Sequence, residues 1–167
     1  MKRVARSSGT SEDFSSFFEI HYTRVARTVF LLVHDREVAE DIAQEAFMKL
    51  LANWARVSRY ELPEGWVRRI AIRLGMKHLR RQRLHLRTLE RLEPPSGTPE
   101  PPDPDLMRAV RALPPAQRSA VVLFYFVDLP VREIAEIIDC SEATAKVHLH
   151  KARRRLGTLL EEAVDVS

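Results

Sequence analysis

The stretch that decides the fold is Val131–Leu156, VREIAEIIDCSEATAKVHLHKARRRL. Its first eight residues place Ile134, Ile137 and Ile138 at helical spacing. Asp139, Cys140 and Ser141 then predict a tight turn. Ser141 suits the cap of a second helix, because its hydroxyl can accept a bond from a free backbone N–H. On that helix Ala145, Leu149, Ala152 and Leu156 cover about 60° of arc at ~100° per residue, a stripe narrow enough to pack inward. Opposite them stand Ala143, Thr144, Val147, Lys151 and Arg154. Small side chains near a helix start admit base edges, and Lys and Arg suit phosphates or guanine. The ordinary alternative is an amphipathic helix with a solvated basic face. It accounts for the bases but not for the turn and the cap, so we read a helix-turn-helix with its second helix in a major groove. The DNA contacts expected from it are Ser141, Ala143, Thr144, Lys146, Val147, His150, Lys151 and Arg154. His148 and His150 read as phosphate or solvent contacts rather than metal ligands, and Cys140 as a packed turn residue rather than a redox switch.

Working outward, two further helices are expected at 104–112 and 115–127, and before them a break. Six of the ten prolines lie between Pro94 and Pro104, in PPSGTPEPPDP. No packed helix can form there. Fully extended, these residues span about 34 Å at ~3.1 Å each, roughly one turn of DNA. The chain is therefore divided into an amino-terminal domain, 11–88, a linker, 89–104, and a carboxy-terminal domain, 105–162.

Three helices are expected in the amino-terminal domain. The first runs from about Ser11 to Val33, capped by Ser11 or Thr10, with Phe14, Phe17, Phe18, Tyr22 and Val25 as its apolar stripe. The second runs from near Asp35 to near Val57, with Ala39, Ala43, Ala46, Leu50, Trp54 and Val57 facing the core. Its other side carries Glu37, Asp41, Gln44, Glu45 and Met48, a face that DNA would repel and whose ordinary reading, taken alone, is simple solubility. The third starts after Pro63, ends near Arg83 and buries Val67, Ile70, Ala71 and Leu74. Arg69, Arg73, Lys77 and Arg80 stand on another of its faces at i, i+4, i+8 and i+11. Like charges so spaced repel, and a polyanion relieves the repulsion. Residues 66–87 hold eight Lys or Arg and no acid, whereas solubilising faces usually mix signs. Between the second and third helices, in Ser58–Gly65, Tyr60 could stack on an unpaired base, while Trp66 is read as core.

Composition narrows the classes. Aromatics make up 7% of the chain, and long alternating Val, Ile and Thr runs are missing, which favours helices over sheets. Cys140 is the only cysteine, so no internal disulfide and no Cys-rich zinc pattern is available. The acids have no His partner at ligand spacing, so neither a metal nor a cofactor is expected. The amino terminus lacks the apolar segment of a secretory signal, and no apolar run nears the ~18 residues that span a membrane. The expectation is a cytoplasmic protein without direct membrane insertion. The net charge of +4 matters less than its division between an acidic helix and a basic one, which suggests two partners.

These pieces in this order resemble a bacterial sigma factor of the extracytoplasmic function (ECF, group 4) type, in the sigma-70 family, with wording closest to actinobacterial members. The stretches that carry the resemblance are FSSFFEIHYTRV, AEDIAQEAFMKLLANW, WVRRIAIRLGMKHLRRQR and LPPAQRSAVVLFYFVDLPVREIAEIIDCSEATAKVHLHKARRRL. It implies an all-α fold of two small helical domains, a three-helix sigma region 2 and a helix-turn-helix sigma region 4, joined by a Pro-rich flexible linker. It also implies a non-enzymatic protein that binds RNA polymerase core and directs it to promoters. By similarity, Glu37, Asp41, Gln44, Glu45 and Met48 meet the clamp helices of the largest subunit. Tyr60, Arg69, Arg73, Lys77, Arg80 and Arg81 read and open the −10 element. The helix-turn-helix reads the −35 element, region 4 meets the polymerase flap, and an anti-sigma factor is a further partner common in the family. The chain departs from the family pattern at Arg73, Lys77, Asp139, Val147 and His148, where Asn, Asp, Gly, Ser and Arg are usual. A stand-alone helix-turn-helix regulator accounts for residues 105–162 and leaves the first 88 unexplained. A helical nuclease has only the acidic cluster in its favour.

Overall fold

The computed structural model describes residues 7–86 and 103–165, and of 7–12, 86 and 163–165 only the backbone. The expected linker, 89–104, lies outside the described residues except for its last two positions. The described residues are helical with short connections, without a strand among them. Two compact units divide between Glu90 and Arg91.

The first unit holds α1 (Ser7–Val33), α2 (Arg36–Val57) and α3 (Pro63–Leu86), each packed on the other two. Only His34 and Asp35 connect α1 to α2. His34 takes the left-handed conformation, φ 54°, and closes α1 by donating its N–H to Phe30 O at 2.8 Å. Asp35 then caps α2, its carboxylate accepting from Val38 N at 3.0 Å. Aromatic rings join α1 to α2: Trp54 lies 5.4 Å from Phe14 and 5.1 Å from Phe17, and Phe47 lies 5.0 Å from Phe18 and 5.7 Å from Tyr22. Edge contacts of this kind add about 0.5–1.5 kcal/mol per pair beyond burial. At Gly75, α3 faces Val29, Leu32 and Val33 of α1, which a Cβ there would meet at ordinary contact distances of 3.7–3.9 Å.

Three expectations for this unit are corrected. The backbone at Thr10 and Ser11 is already helical, so neither caps α1, whose described part runs from Ser7. On α3 the buried side is Val67, Ala71, Ile72, Gly75, Met76 and Leu79, while Ile70 and Leu74 are half-buried. That side spans about 180° at ~100° per residue. A narrow stripe suits a helix with one neighbour, and α3 has two. Trp66, expected in the core, falls on the far side of this wheel and is half-buried.

The second unit holds α4 (Pro104–Ala112), α5 (Pro115–Val121), α6 (Val131–Ile138) and α7 (Glu142–Asp165). Asp103 caps α4 through Leu106 N at 3.0 Å, and Pro104 takes the first helical position, where its missing N–H costs nothing. The expected helix 115–127 does not run straight through. After α5 it widens at Val122–Phe126 into one π turn, with Val127 N donating to Val122 O at 3.1 Å. The wider turn buries Val122 and Leu123 while Tyr125 and Phe126 stay exposed. Leu123, Ile134, Val110 and Val122 are fully buried, together with Ala145 and Ala152 of α7.

Candidate nucleic-acid and protein interfaces

Three faces of unlike chemistry carry the residues singled out above. The first is on α2. Glu37, Asp41, Gln44, Glu45 and Met48 are all exposed on the side opposite the buried Ala39, Ala43, Ala46, Leu50, Trp54 and Val57. Glu45 has a neighbour in Lys49 at 3.6 Å, an exposed pair of little energetic weight. Met48 is 71% exposed, and Leu51, one turn on, is 55% exposed. The sequence reading missed Leu51, although its position three residues after Met48 continues the stripe. The face is thus acidic at one end and apolar at the other, which fits a protein partner better than water alone.

The second face joins α3 to the turn before it. Arg69, Arg73, Lys77, Arg80 and Arg81 are exposed together. Arg68 belongs to the same basic run but turns inward, and its Nε is buried without a partner. One residue along a helix is about 100° of rotation, enough to move a side chain from one face to the next. The turn is held by Tyr60 N donating to Val57 O at 2.9 Å and Gly65 N donating to Leu62 O at 3.1 Å. This leaves Tyr60 and Leu62 exposed beside half-buried Trp66. Leu62 was also missed, as a lone apolar residue in a loop has no period to reveal it.

The third face is the helix-turn-helix. Asp139 adopts the left-handed conformation, φ 58°, and Cys140 N donates to Ala135 O at 3.0 Å. Ser141 Oγ accepts from Thr144 N at 3.1 Å, and the two hydroxyls lie 2.8 Å apart. The Thr144 hydroxyl is thereby engaged by the cap. Ala145, Leu149 and Ala152 are buried, and Leu156 is half-buried. Ala143, Thr144, Val147, Lys151 and Arg154 are brought together on the exposed side; Lys146 and His150 are exposed on its flank, and His148 is half-buried. Arg153 is held from the side: its Nε donates to Tyr125 Oη at 2.6 Å, with the guanidinium 5.6 Å from the Phe124 and Tyr125 ring centres.

Burial, and then the Asp139 charge, push the Cys140 thiol above its ordinary pKa. Burial, and then Arg111, lower the Arg118 pKa. Among the described residues there is no cluster of His, Cys, Asp and Glu that could hold a metal, and no helix long and apolar enough to cross a membrane.

One small test arises at the cap. Ser141→Ala is expected to cost about 1 kcal/mol in urea unfolding of the full chain, and Ser141→Asp to retain that stability. Equal stability of all three proteins would mean that the 3.1 Å bond does not hold the helix start.

Known proteins share this arrangement. Residues 17–85 match the family model Sigma-70 region 2, and residues 104–156 match Sigma-70, region 4. The RNA polymerase sigma factor SigV of Bacillus subtilis is 32% identical over 129 residues, covering 75% of this chain and 78% of SigV. The RNA polymerase sigma-E factor of Streptomyces avermitilis is 28% identical, covering 89% of this chain and 86% of the relative. The ECF RNA polymerase sigma factor SigM of Mycobacterium tuberculosis is 28% identical, covering 94% and 82%. Among solved structures, the sigma factor RpoE in complex with the anti-sigma factor NepR from Bartonella quintana has a TM-score of 0.67 at 21% identity, covering 90% of this chain and 98% of RpoE. CnrH, solved with the cytosolic domain of CnrY, has a TM-score of 0.57 at 18% identity, covering 93% and 92%. At these identities the two structures speak to the fold alone.

Proposed function

Because the chain belongs to the sigma-70 family of RNA polymerase sigma factors, within the extracytoplasmic function group, and directs transcription initiation without enzymatic chemistry of its own, we propose how its three faces divide that work. The acidic face of α2, Glu37, Asp41, Gln44, Glu45 and Met48, docks on the clamp helices of the largest polymerase subunit. Exposed Leu51 extends this contact. The basic face of α3 holds the −10 DNA through Arg69, Arg73, Lys77, Arg80 and Arg81. The turn at Tyr60 captures an unpaired base, stacking against a few kcal/mol of unstacking cost.

The helix-turn-helix reads the −35 duplex. Ala143, Thr144 and Val147 present small and methyl-bearing side chains to base edges, and Lys151 and Arg154 reach phosphates or guanine. Ser141 holds the helix start in register, while Lys146 and His150 contact the backbone from the flank. Residues 11–88 and 105–162 act as the two functional domains, with 89–104 as the linker that sets their span. Region 4 also meets the polymerase flap. The protein works in the cytoplasm, where polymerase is. An anti-sigma protein is a further partner, on the ground that RpoE was solved with one.

The observation that carries this reading is the segregation of charge: an acidic exposed side on α2, and on α3 an exposed basic side without an acid. A DNA-only protein has no use for the first, and a polymerase adaptor without DNA contact has none for the second. Reconstituted run-off transcription tests it. Core polymerase with the full chain should start at discrete sites on genomic fragments where core alone does not. Identical transcripts with and without the chain would refute the proposal. A stand-alone regulator would instead bind duplex DNA tightly without polymerase.

A further inference from the structure

Lys151, Arg154, Arg155 and Thr158 stand on one side of α7, and Gln117 of α5 closes a trough of about 360 Å³ with them. Three cations line it, and no acidic or apolar side chain does. Among the described residues none of the three cations takes part in an ion pair. Gln117 Oε1 is buried without a partner, and the same amide also carries an N–H₂ donor. Pockets for organic ligands need apolar walls. The trough's three cations and the Gln117 amide are the donor set of a phosphate site.

Its place on the helix indicates whose phosphate it takes. Arg155 lies eleven residues after Thr144, about 16 Å along the axis at ~1.5 Å per residue. The major groove is roughly 12 Å wide. A helix with its start among the bases has reached the rim of the groove at Arg155, where the sugar-phosphate backbone runs. We propose that the trough between α5 and α7 seats one backbone phosphate of the −35 duplex, with Gln117 and Arg155 as its additional positioning residues. The inference rests on the reading of α7 given above. Its consequence is that α5 fixes the angle at which α7 enters the groove, by gripping the same phosphate from the side.

The test is a salt titration of promoter binding by holoenzyme made from the full chain and core polymerase. The DNA is the fragment that the wild-type holoenzyme selects from a randomised pool. Arg155→Gln should lower affinity about five- to tenfold and flatten the slope of log K against log salt by about 1, without changing the selected sequence. Arg155→Lys should restore the slope. Gln117→Ala should lower affinity but leave the slope, because a neutral donor displaces no counterion. Wild-type affinity and slope in Arg155→Gln would overturn the proposal, and so would an altered sequence preference, which would make Arg155 a base reader. Inorganic phosphate titrated into the full chain separates the sources. Saturable binding of phosphate at Arg155 together with a wild-type DNA slope in Arg155→Gln would assign the trough to a free anion and overturn the DNA proposal. Val147→Arg is the control for the parent reading. If it changes the selected sequence while Arg155→Gln does nothing, only the phosphate seat fails; if Val147→Arg also changes nothing, the reading of α7 fails.

Discussion

Asp41→Arg should weaken the affinity of the chain for core polymerase by about thirtyfold, close to 2 kcal/mol, while its thermal unfolding stays where it is. Asp41 is exposed on the acidic side of α2, on a helix whose opposite side is fully committed to the core through Ala43, Ala46 and Leu50. Exposed substitutions of this kind change stability by no more than about 0.5 kcal/mol. At an interface with a basic partner, the same change replaces attraction with like-charge contact, and such contacts cost several kcal/mol. Fluorescence anisotropy with labelled chain and core polymerase reads the first quantity, and circular dichroism melting the second. Unchanged affinity would remove α2 from the polymerase interface. A lowered melting temperature would mean that Asp41 supports the fold rather than a partner.

The double substitution Arg73→Glu with Lys77→Glu should abolish promoter opening in the holoenzyme and leave core binding intact. Both side chains are exposed on α3, away from Val67, Ala71, Ile72 and Leu79. Each cation lost from a phosphate contact removes about 0.7–0.9 from the salt slope of DNA binding, so the pair should flatten it by roughly 1.5. Replacing both with acids adds repulsion, and open complexes, followed by permanganate reactivity of unpaired thymines, should fall more than tenfold. Arg73→Asn and Lys77→Asp are milder variants of the same test. Wild-type opening in the Glu double variant would show that this face does not hold the −10 DNA.

How much of this was legible in the sequence varied with the kind of signal. The helix-turn-helix could be read residue by residue, because each feature is local. Asp139 sits in the left-handed turn, Ser141 caps through Thr144 N, and Ala145, Leu149 and Ala152 are buried. The stripe of α2 was equally clear, since its apolar residues repeat at 3–4 positions against one continuous core; Ile42 and Phe47, also buried, widen it. The α3 stripe was misplaced because period alone does not say how many neighbours a helix has. The widened turn at Val122–Phe126 has no sequence signature in VLFYF, where every residue suits an ordinary helix. Arg68 and Arg153 looked like members of basic runs, but one is partly buried and the other is held by Tyr125. Counting charges along a chain cannot separate those from Arg73 or Arg154. The trough at Gln117 joins residues some forty positions apart on α5 and α7, so only the fold brings it together.

The central claim is that one chain offers polymerase two separate DNA-reading faces, one for single strand and one for duplex. Site-specific photocrosslinking measures this directly, with a crosslinking residue at position 60 in one holoenzyme and at position 147 in another, each on the selected promoter. The account expects position 147 to label duplex at the −35 element and position 60 to label the opened strand at the −10 element, the second only when core polymerase is present. Crosslinks from both positions to one DNA segment, or labelling at position 60 that needs no polymerase, would contradict it.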